Sequence, residues 1–227
     1  MIPPDLASIR RWHALCRFGA NMSSLRAMEY EAIASMDLAG EVLDFGGGQT
    51  AGYMKLLPTN LSLSSVNIDA EFQPTHIVSP GAPLPFADGS FDGAISLNTL
   101  EHVADDAGAL AEIARVLRPG APLHICVPFL FRVHGHPDDY HRHTPSGWRH
   151  LLQGAGFASA VLRPLVFGRA STRRAIGGRG PKGLRQVTAH WAALRDIAAA
   201  SIRPRHSGSA PKHWAEAPGW YIRAVAP

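Results

Sequence analysis

Val42-Leu43-Asp44-Phe45-Gly46-Gly47-Gly48-Gln49-Thr50 is the stretch on which the fold turns. A short apolar run ends in an acid, and three glycines follow at once. An apolar run of this length bounded by a turn reads as a strand. Glycines at 46, 47 and 48 let the backbone approach a ligand closely and adopt positive φ, which a side chain would hinder. The residues after them are expected to form a helix through Leu57, its first amides directed at that ligand. The stretch does not choose the ligand. Gly46-Gly47-Gly48-Gln49-Thr50-Ala51 also satisfies the permissive GxGxxA dinucleotide pattern, and Asp69 lies 21 residues past Gly48, where a ribose-binding acid belongs in that case too. An NAD-linked reductase therefore competes at this point.

Outward from residue 41 the chain alternates short β-rich runs with helix-like stretches, the pattern of a sheet covered on both faces. Strands are expected at Glu41–Phe45, Ser64–Asp69, Thr75–Ser79, Phe91–Leu97 and Pro122–Pro128. The last is nearly all apolar, as at the centre of a parallel sheet. Between the fourth and fifth, Leu110, Ile113 and Leu117 mark one face of a helix started by Asp105 or Asp106 and stopped by Pro119-Gly120. Thr144-Pro145 reads as an N-cap with proline in the first turn of a helix carrying Trp148, Leu151 and Leu152. Phe157–Arg163 and Trp220–Ala226 would be strands six and seven. Residues 1–38 read as a helical cap at the ligand end, with Leu25, Met28, Ala32, Ile33 and Met36 near helical spacing. Residues 168–217 read as a Gly/Arg-rich loop followed by a helix whose stripe of Leu184, Val187, Trp191, Leu194 and Ala198 is expected to pack on the core.

The 227 residues suit one α/β domain. No apolar run reaches the ~18 residues that span a bilayer, and no secretory signal is evident at the N-terminus. Cys16 and Cys126 stand alone, which favours a reducing, cytoplasmic setting. Charge is divided: residues 1–150 hold 10 basic and 16 acidic side chains, residues 151–227 hold 12 and 2. The basic end suits an anionic partner or is a solvated face.

Taken together, VLDFGGG at 42–48, VNID at 66–69, LPFADGSFDGAISLNTLEHV at 84–103, EIARVLRPGAPLHICVPF at 112–129 and HPDDYHRHTPSGWRHLLQGAGF at 136–157 resemble class I S-adenosylmethionine-dependent methyltransferases. The resemblance is to the large group acting on small molecules, lipids and sugars. It covers roughly residues 41–163 plus the closing GWYIRAVAP. It implies a Rossmann-like seven-stranded sheet with an antiparallel last strand in a single domain: a helical cap at 1–38, a core at 41–163 and 218–227, and a basic insertion at 168–217. It implies S-adenosylmethionine as cofactor, wrapped at its methionine end by Asp44, Gly46, Gly47 and Gly48. Asp69 would accept from the ribose hydroxyls, and Asn98 would line the sulfonium region. The sequence departs from the family at Thr50, which replaces a frequent third glycine, and at Ser79-Pro80, where the usual adenine-binding acid is absent. The link from Asp69 to Thr75 is too short for the usual helix. These departures keep open a non-catalytic relative of the same fold.

Methyl transfer requires an aligned acceptor and, for a hydroxyl, a route for its proton, for which histidine is suited. His102 after strand four and His134 and His136 after strand five are the catalytic candidates, each with a loop-bonding role as the bland alternative. The density of His134, His136, Asp138, Asp139, His141 and His143 suits a divalent ion, but Pro137, Asp139, Tyr140, Arg142 and Thr144 match a structural loop pattern of the resembling family, and no metal is assigned. The cationic run Arg169, Arg173, Arg174, Arg179, Lys182 and Arg185 is expected to form a flexible loop closing over an anionic acceptor. The expectation is O-methylation of a polar or anionic small molecule or glycan precursor. Nucleic acid is disfavoured, since no aromatic platform accompanies the charge.

Overall fold

A computed structural model describes residues 7–18, 23–135, 137–177, 182–202 and 215–227. The elements are α1 (Ile9–Cys16), α2 (Ser24–Ile33), β1 (Glu41–Phe45), β2 (Ser62–Asn67), β3 (His76–Ile77), β4 (Gly93–Leu97), α3 (Asp106–Val116), β5 (Pro122–Pro128), α4 (Pro145–Gly154), β6 (Ser159–Leu165), α5 (Arg169–Ile176), α6 (Arg185–Ile202) and β7 (Gly219–Val225). The strands form one sheet in the order β3-β2-β1-β4-β5-β7-β6. All neighbours are parallel except at β7, which runs antiparallel to both β5 and β6. This is the sheet expected from the sequence.

Local chemistry sets most of the element ends. The Asp105 carboxylate accepts from the Gly108 amide at 2.9 Å and starts α3. Thr144 Oγ1 accepts from the Gly147 amide at 3.2 Å, with Pro145 in the first turn of α4. Strand β5 is buried from Leu123 onward and sits between β4 and β7. Two apolar layers enclose the sheet. One joins α3 and α4 to Leu43, Leu123, Ile125 and Trp220; the other joins α1 and α2 to Val42, Ile95, Leu97 and Cys126. The α2 residues predicted to be inward, Leu25, Met28, Ala32 and Ile33, are all buried.

Three expectations fail locally. After the glycines there is no α-helix, only a three-residue 3-10 turn, Met54–Leu56. The run is short, holds Gly52 and is stopped by Pro58, so an α-helix has no room to nucleate. The third strand shrinks to His76–Ile77, and a 3-10 turn at Ala70–Phe72 fills the short link before it. The stripe on α6 faces solvent instead of the core: Trp191 is 65 % and Leu194 54 % exposed. The buried face of α6 is carried by Ala192, Ala193 and Asp196. The Asp196 carboxylate accepts from the amides of Ala170 and Ser171 at 2.8 and 2.9 Å, capping α5 from outside. That cap turns the first part of the expected Gly/Arg-rich loop into a helix.

Candidate active site at the ends of strands one and four

Strand order reverses direction between β1 and β4, so the crevice at their C-terminal ends is where an open α/β sheet takes its ligand. The glycine turn leaves β1 here. Gly46 has φ +87, and its amide donates to the Val66 carbonyl at 2.8 Å. Asn67 Nδ2 donates to the carbonyls of Gly46 and Gly47 at 2.8 and 3.1 Å, tying the turn to β2. A Cβ on Gly47 would strike the Asp44 carboxylate and the Tyr53 hydroxyl, and one on Gly48 the Phe72 carbonyl. Close packing of the turn on its own protein thus demands these glycines. Asp44 is fully buried and accepts from the Tyr53 hydroxyl at 2.8 Å. Burial pushes its carboxyl up to about 7, against the pull of that hydrogen bond. Asp44 therefore braces the turn from behind.

Asp69 stands half-buried past the end of β2. Its Oδ1 accepts from the Glu71 amide at 2.8 Å, and its own amide donates to Asn67 Oδ1 at 3.1 Å. Oδ2 takes no part in that bond. Asn98, directly after β4, has φ +55, a left-handed conformation that Asn tolerates better than most residues. Its side-chain Nδ2 donates to Glu29 Oε1 at 2.9 Å and its Oδ1 accepts from Arg26 Nη1 at 2.8 Å. Helix α2 is thereby fastened to the end of β4, and burial raises the Glu29 carboxyl.

The loop after β5 folds back over the turn after β4. The Glu101 carbonyl accepts from the Tyr140 amide at 2.7 Å. Arg142 grips Asp139 through both Nη atoms, and Asp139 Oδ2 also accepts from the His134 amide at 2.8 Å. Burial opposes ionisation of Asp139, but Arg142 and that amide hold it down at about 2. The loop brings His102 and His134 together, ring centroids 5.1 Å apart. His102 Nδ1 bonds the Asp138 carbonyl, and its Nε2 lies 3.6 Å from Glu101 Oε1. Burial lowers the His134 imidazole below its ordinary value. Glu101 itself is 2 % exposed, with neither carboxylate oxygen in a hydrogen bond, and burial pushes it up to about 8. His136 lies outside the described residues. His141 and His143 turn away, to the Ala104 carbonyl at 3.1 Å and to Asp106 Oδ2 at 2.6 Å.

Comparison with known proteins bears on this crevice. The family model for a methyltransferase domain matches residues 16–125, which include the glycine turn, Asp44, Asp69, Asn98 and His102. The sheet order and the antiparallel β7 agree with it. The chain has the fold of the class I methyltransferases. It is 57 % identical over 47 residues to an O-methyltransferase of Aspergillus nomiae, a match covering 21 % of each chain. The leading O-methyltransferase matches span about a fifth or less of those relatives' own length. A demethylmenaquinone methyltransferase of Tropheryma whipplei is 27 % identical over 183 residues, 63 % of this chain and 75 % of that one. In fold it is similar to an S-adenosylmethionine-dependent methyltransferase of Thermotoga maritima, described as a possible histamine N-methyltransferase, with TM-score 0.58, 18 % identity and coverage of 96 % and 94 %.

Within this fold the crevice holds Gly46, Gly47, Gly48, Asp69 and Asn98, with Asp44 behind the turn, and the loop beside it gathers His102 and His134. Sequence reasoning missed Tyr53, Asn67, the Arg26–Glu29 pair and Glu101. Glu101 was visible only as a letter of the LEHV motif. The cationic run does not form one loop. Arg169 bonds Glu216 at 2.6 Å, and Arg174 bonds Thr188 and the Arg185 carbonyl. Arg179 and the Lys182 side chain lie outside the described residues. Between α5 and α6, Arg169, Arg173 and Arg174 line a cavity of about 630 Å³ with Arg195, Trp191 and Asp196, and none of the crevice residues contributes to it.

Proposed function

We propose that this methyltransferase moves the methyl group of S-adenosylmethionine to a hydroxyl of a polar or anionic small molecule or glycan precursor, in the cytoplasm. The observation that carries the reading is the crevice itself: a glycine turn held tight against Asp44 and Phe72, an acid with one uncommitted oxygen at the end of β2, and a left-handed Asn98 at the end of β4. This donor set fits the cofactor. Backbone at Gly46–Gly48 would take the methionine portion, Asp69 Oδ2 a ribose hydroxyl, and the Asn98 backbone would line the sulfonium region. When bound, the sulfonium supplies an activated methyl group, and the protein's task is alignment.

On the acceptor side the reading rests on His102 and His134, which the folded loop presents as a pair. The printed names of the fungal relatives support oxygen as the acceptor atom. The basic excess of residues 151–227, 12 basic against 2 acidic side chains, supports an anionic group on the acceptor. Two free cysteines support a reducing compartment, and among the described residues no helix is long and apolar enough to cross a membrane. A second reading, a protein that holds the cofactor without turnover, draws on the end of β3. Ser79 and Pro80 stand exposed there, with no carboxylate for the adenine amino group.

Isothermal titration with S-adenosylhomocysteine, before and after chelation, tests the reading. Micromolar binding that ignores the chelator is the expected result. Absence of heat, with protection of the chain by NADH instead, would overturn it. Binding without turnover on a panel of hydroxylated acids and sugars would favour the second reading.

A further inference from the structure

We propose that Glu101, His102 and His134 form a binding site for one divalent transition-metal ion of the zinc type. One ligand atom from each lies within 4.8 Å of the other two. Two imidazoles and one carboxylate are a donor set suited to such ions, and three protein ligands leave positions open for a water or substrate oxygen.

The second observation is the carboxylate. Glu101 is 98 % removed from solvent by the 2 % exposure above, yet neither of its oxygens meets a hydrogen-bond donor. A buried carboxylate left this way is costly unless a cation pairs with it. The surrounding charges do not supply one. Arg26 is committed to Glu29 at 3.0 Å and Arg142 to Asp139, which leaves the Glu101 carboxyl with no hydrogen bond and only His102 Nε2 at 3.6 Å beside it. A cation held among these three side chains would meet that carboxyl, and all three are of metal-ligating type.

Both imidazoles are also held as metal ligands are held. A ligating histidine presents one ring nitrogen and bonds the other to a carbonyl or carboxylate, which fixes its tautomer and orientation. His102 Nδ1 is bonded to the Asp138 carbonyl, leaving Nε2 on the Glu101 side. His134 Nδ1 lies 3.3 Å from both Asp139 Oδ2 and the Arg132 carbonyl, leaving Nε2. Asp139 is in turn clamped by Arg142. The neighbouring group Asp106, His141 and His143 lacks this character. Its carboxylate is already engaged, since Asp106 Oδ2 bonds His143 Nε2 at 2.6 Å.

The ion's open positions suit an oxygen ligand, a hydroxyl or enol whose proton the bound cation would make easier to lose. This extension alone rests on the methyl-transfer reading; the metal site does not.

The test is zinc titration of the chelator-stripped full chain, without cofactor, followed by calorimetry and by the visible spectrum of the Co²⁺ form. One ion per chain is expected. Glu101→Gln and His134→Ala should each weaken binding by about tenfold or more, and Asp139→Asn by about tenfold through lost orientation of His134. His141→Ala should leave binding unchanged. Sub-stoichiometric binding, full affinity in Glu101→Gln, or loss in His141→Ala would overturn the assignment. Circular dichroism of each variant separates lost binding from lost folding, and His134→Ala, on a partly exposed loop, guards against a Glu101 variant that fails to fold. Since S-adenosylhomocysteine binding is read separately on the stripped chain, failure of the metal site and failure of the methyltransferase reading give different results.

Discussion

Asp44→Asn should remove a pH dependence from the stability of the whole chain. The Asp44 carboxyl is fully enclosed and ionises near 7, against 3.8 for an ordinary aspartate. Between those values the folded chain keeps a proton that the unfolded chain has lost. Linkage then requires stability to fall as pH rises through the window and to be lowest above it. The gap corresponds to about 4 kcal/mol in full, of which about 2–3 kcal/mol falls between about pH 5 and about pH 8. No solvent screening reduces this, because the group is buried and its facing titratable partner, Tyr53, donates its proton to it. Asparagine keeps the shape and still accepts from Tyr53, but it cannot titrate. Urea unfolding of both chains at the two pH values is the assay. The natural chain should lose about 2–3 kcal/mol more than the variant between them. His124 titrates alike in both and cancels. Parallel stabilities at the two pH values would show that Asp44 is already ionised at low pH, and its role as a buried brace would have to be abandoned.

Other outcomes follow from the same structure. Asp69→Ala should weaken S-adenosylhomocysteine binding by roughly 1.5–3 kcal/mol, since it removes a charged acceptor; a calorimetric change below about threefold would argue against Asp69 as the ribose ligand. His124 is buried, with Nδ1 accepting from the Tyr221 hydroxyl at 2.8 Å, and burial holds its imidazole down at about 4. Its contribution to stability is present above about 6.5 and lost as pH falls toward 4; an NMR titration midpoint at the ordinary histidine value would contradict this. Gly48→Ala should destabilise the chain by roughly 1–3 kcal/mol, because its Cβ meets the Phe72 main chain, and thermal unfolding reads the loss directly. Trp191→Ala should change stability by no more than about 0.5 kcal/mol, whereas Trp220→Ala should cost about 3–5 kcal/mol; equal losses would return the α6 stripe to the core.

Those two tryptophans show where sequence reading works and where it stops. Strand β5 and the caps of α3 and α4 were legible because their signals are local: an unbroken apolar run, an Asp three residues before the amide it caps, a Thr-Pro pair. The stripe on α6 has equally good periodicity, but periodicity reports that a helix is two-faced, not which face a neighbour covers. Here the neighbour is α5, and it takes the alanine face because Asp196 caps its first turn. The absent helix after the glycines is a similar case. The strand-then-glycine pattern suggested it, while Gly52 and Pro58 in the run itself argued against it.

The site divides along the same line. The glycines, Asp44 and Asp69 announce themselves by spacing, but the groups that hold them come from far along the chain. Asn67 supports the turn 20 residues before it, and Glu29 reaches Asn98 across most of the N-terminal half. The residues gathered at the ends of β1 and β4 are also those that least suit a stable fold. Asn98 is left-handed, Asp44 and Glu29 are buried acids, and Glu101 is a buried acid without a hydrogen bond. A chain optimised for stability alone would replace each of them, and local rules are broken together mainly where function requires it. Each of the first three has a protein group that answers it: the Glu29–Arg26 pair for Asn98, Tyr53 for Asp44, Arg26 for Glu29. Glu101 has no hydrogen bond, only His102 Nε2 at 3.6 Å, and a bound cation is the partner proposed for it.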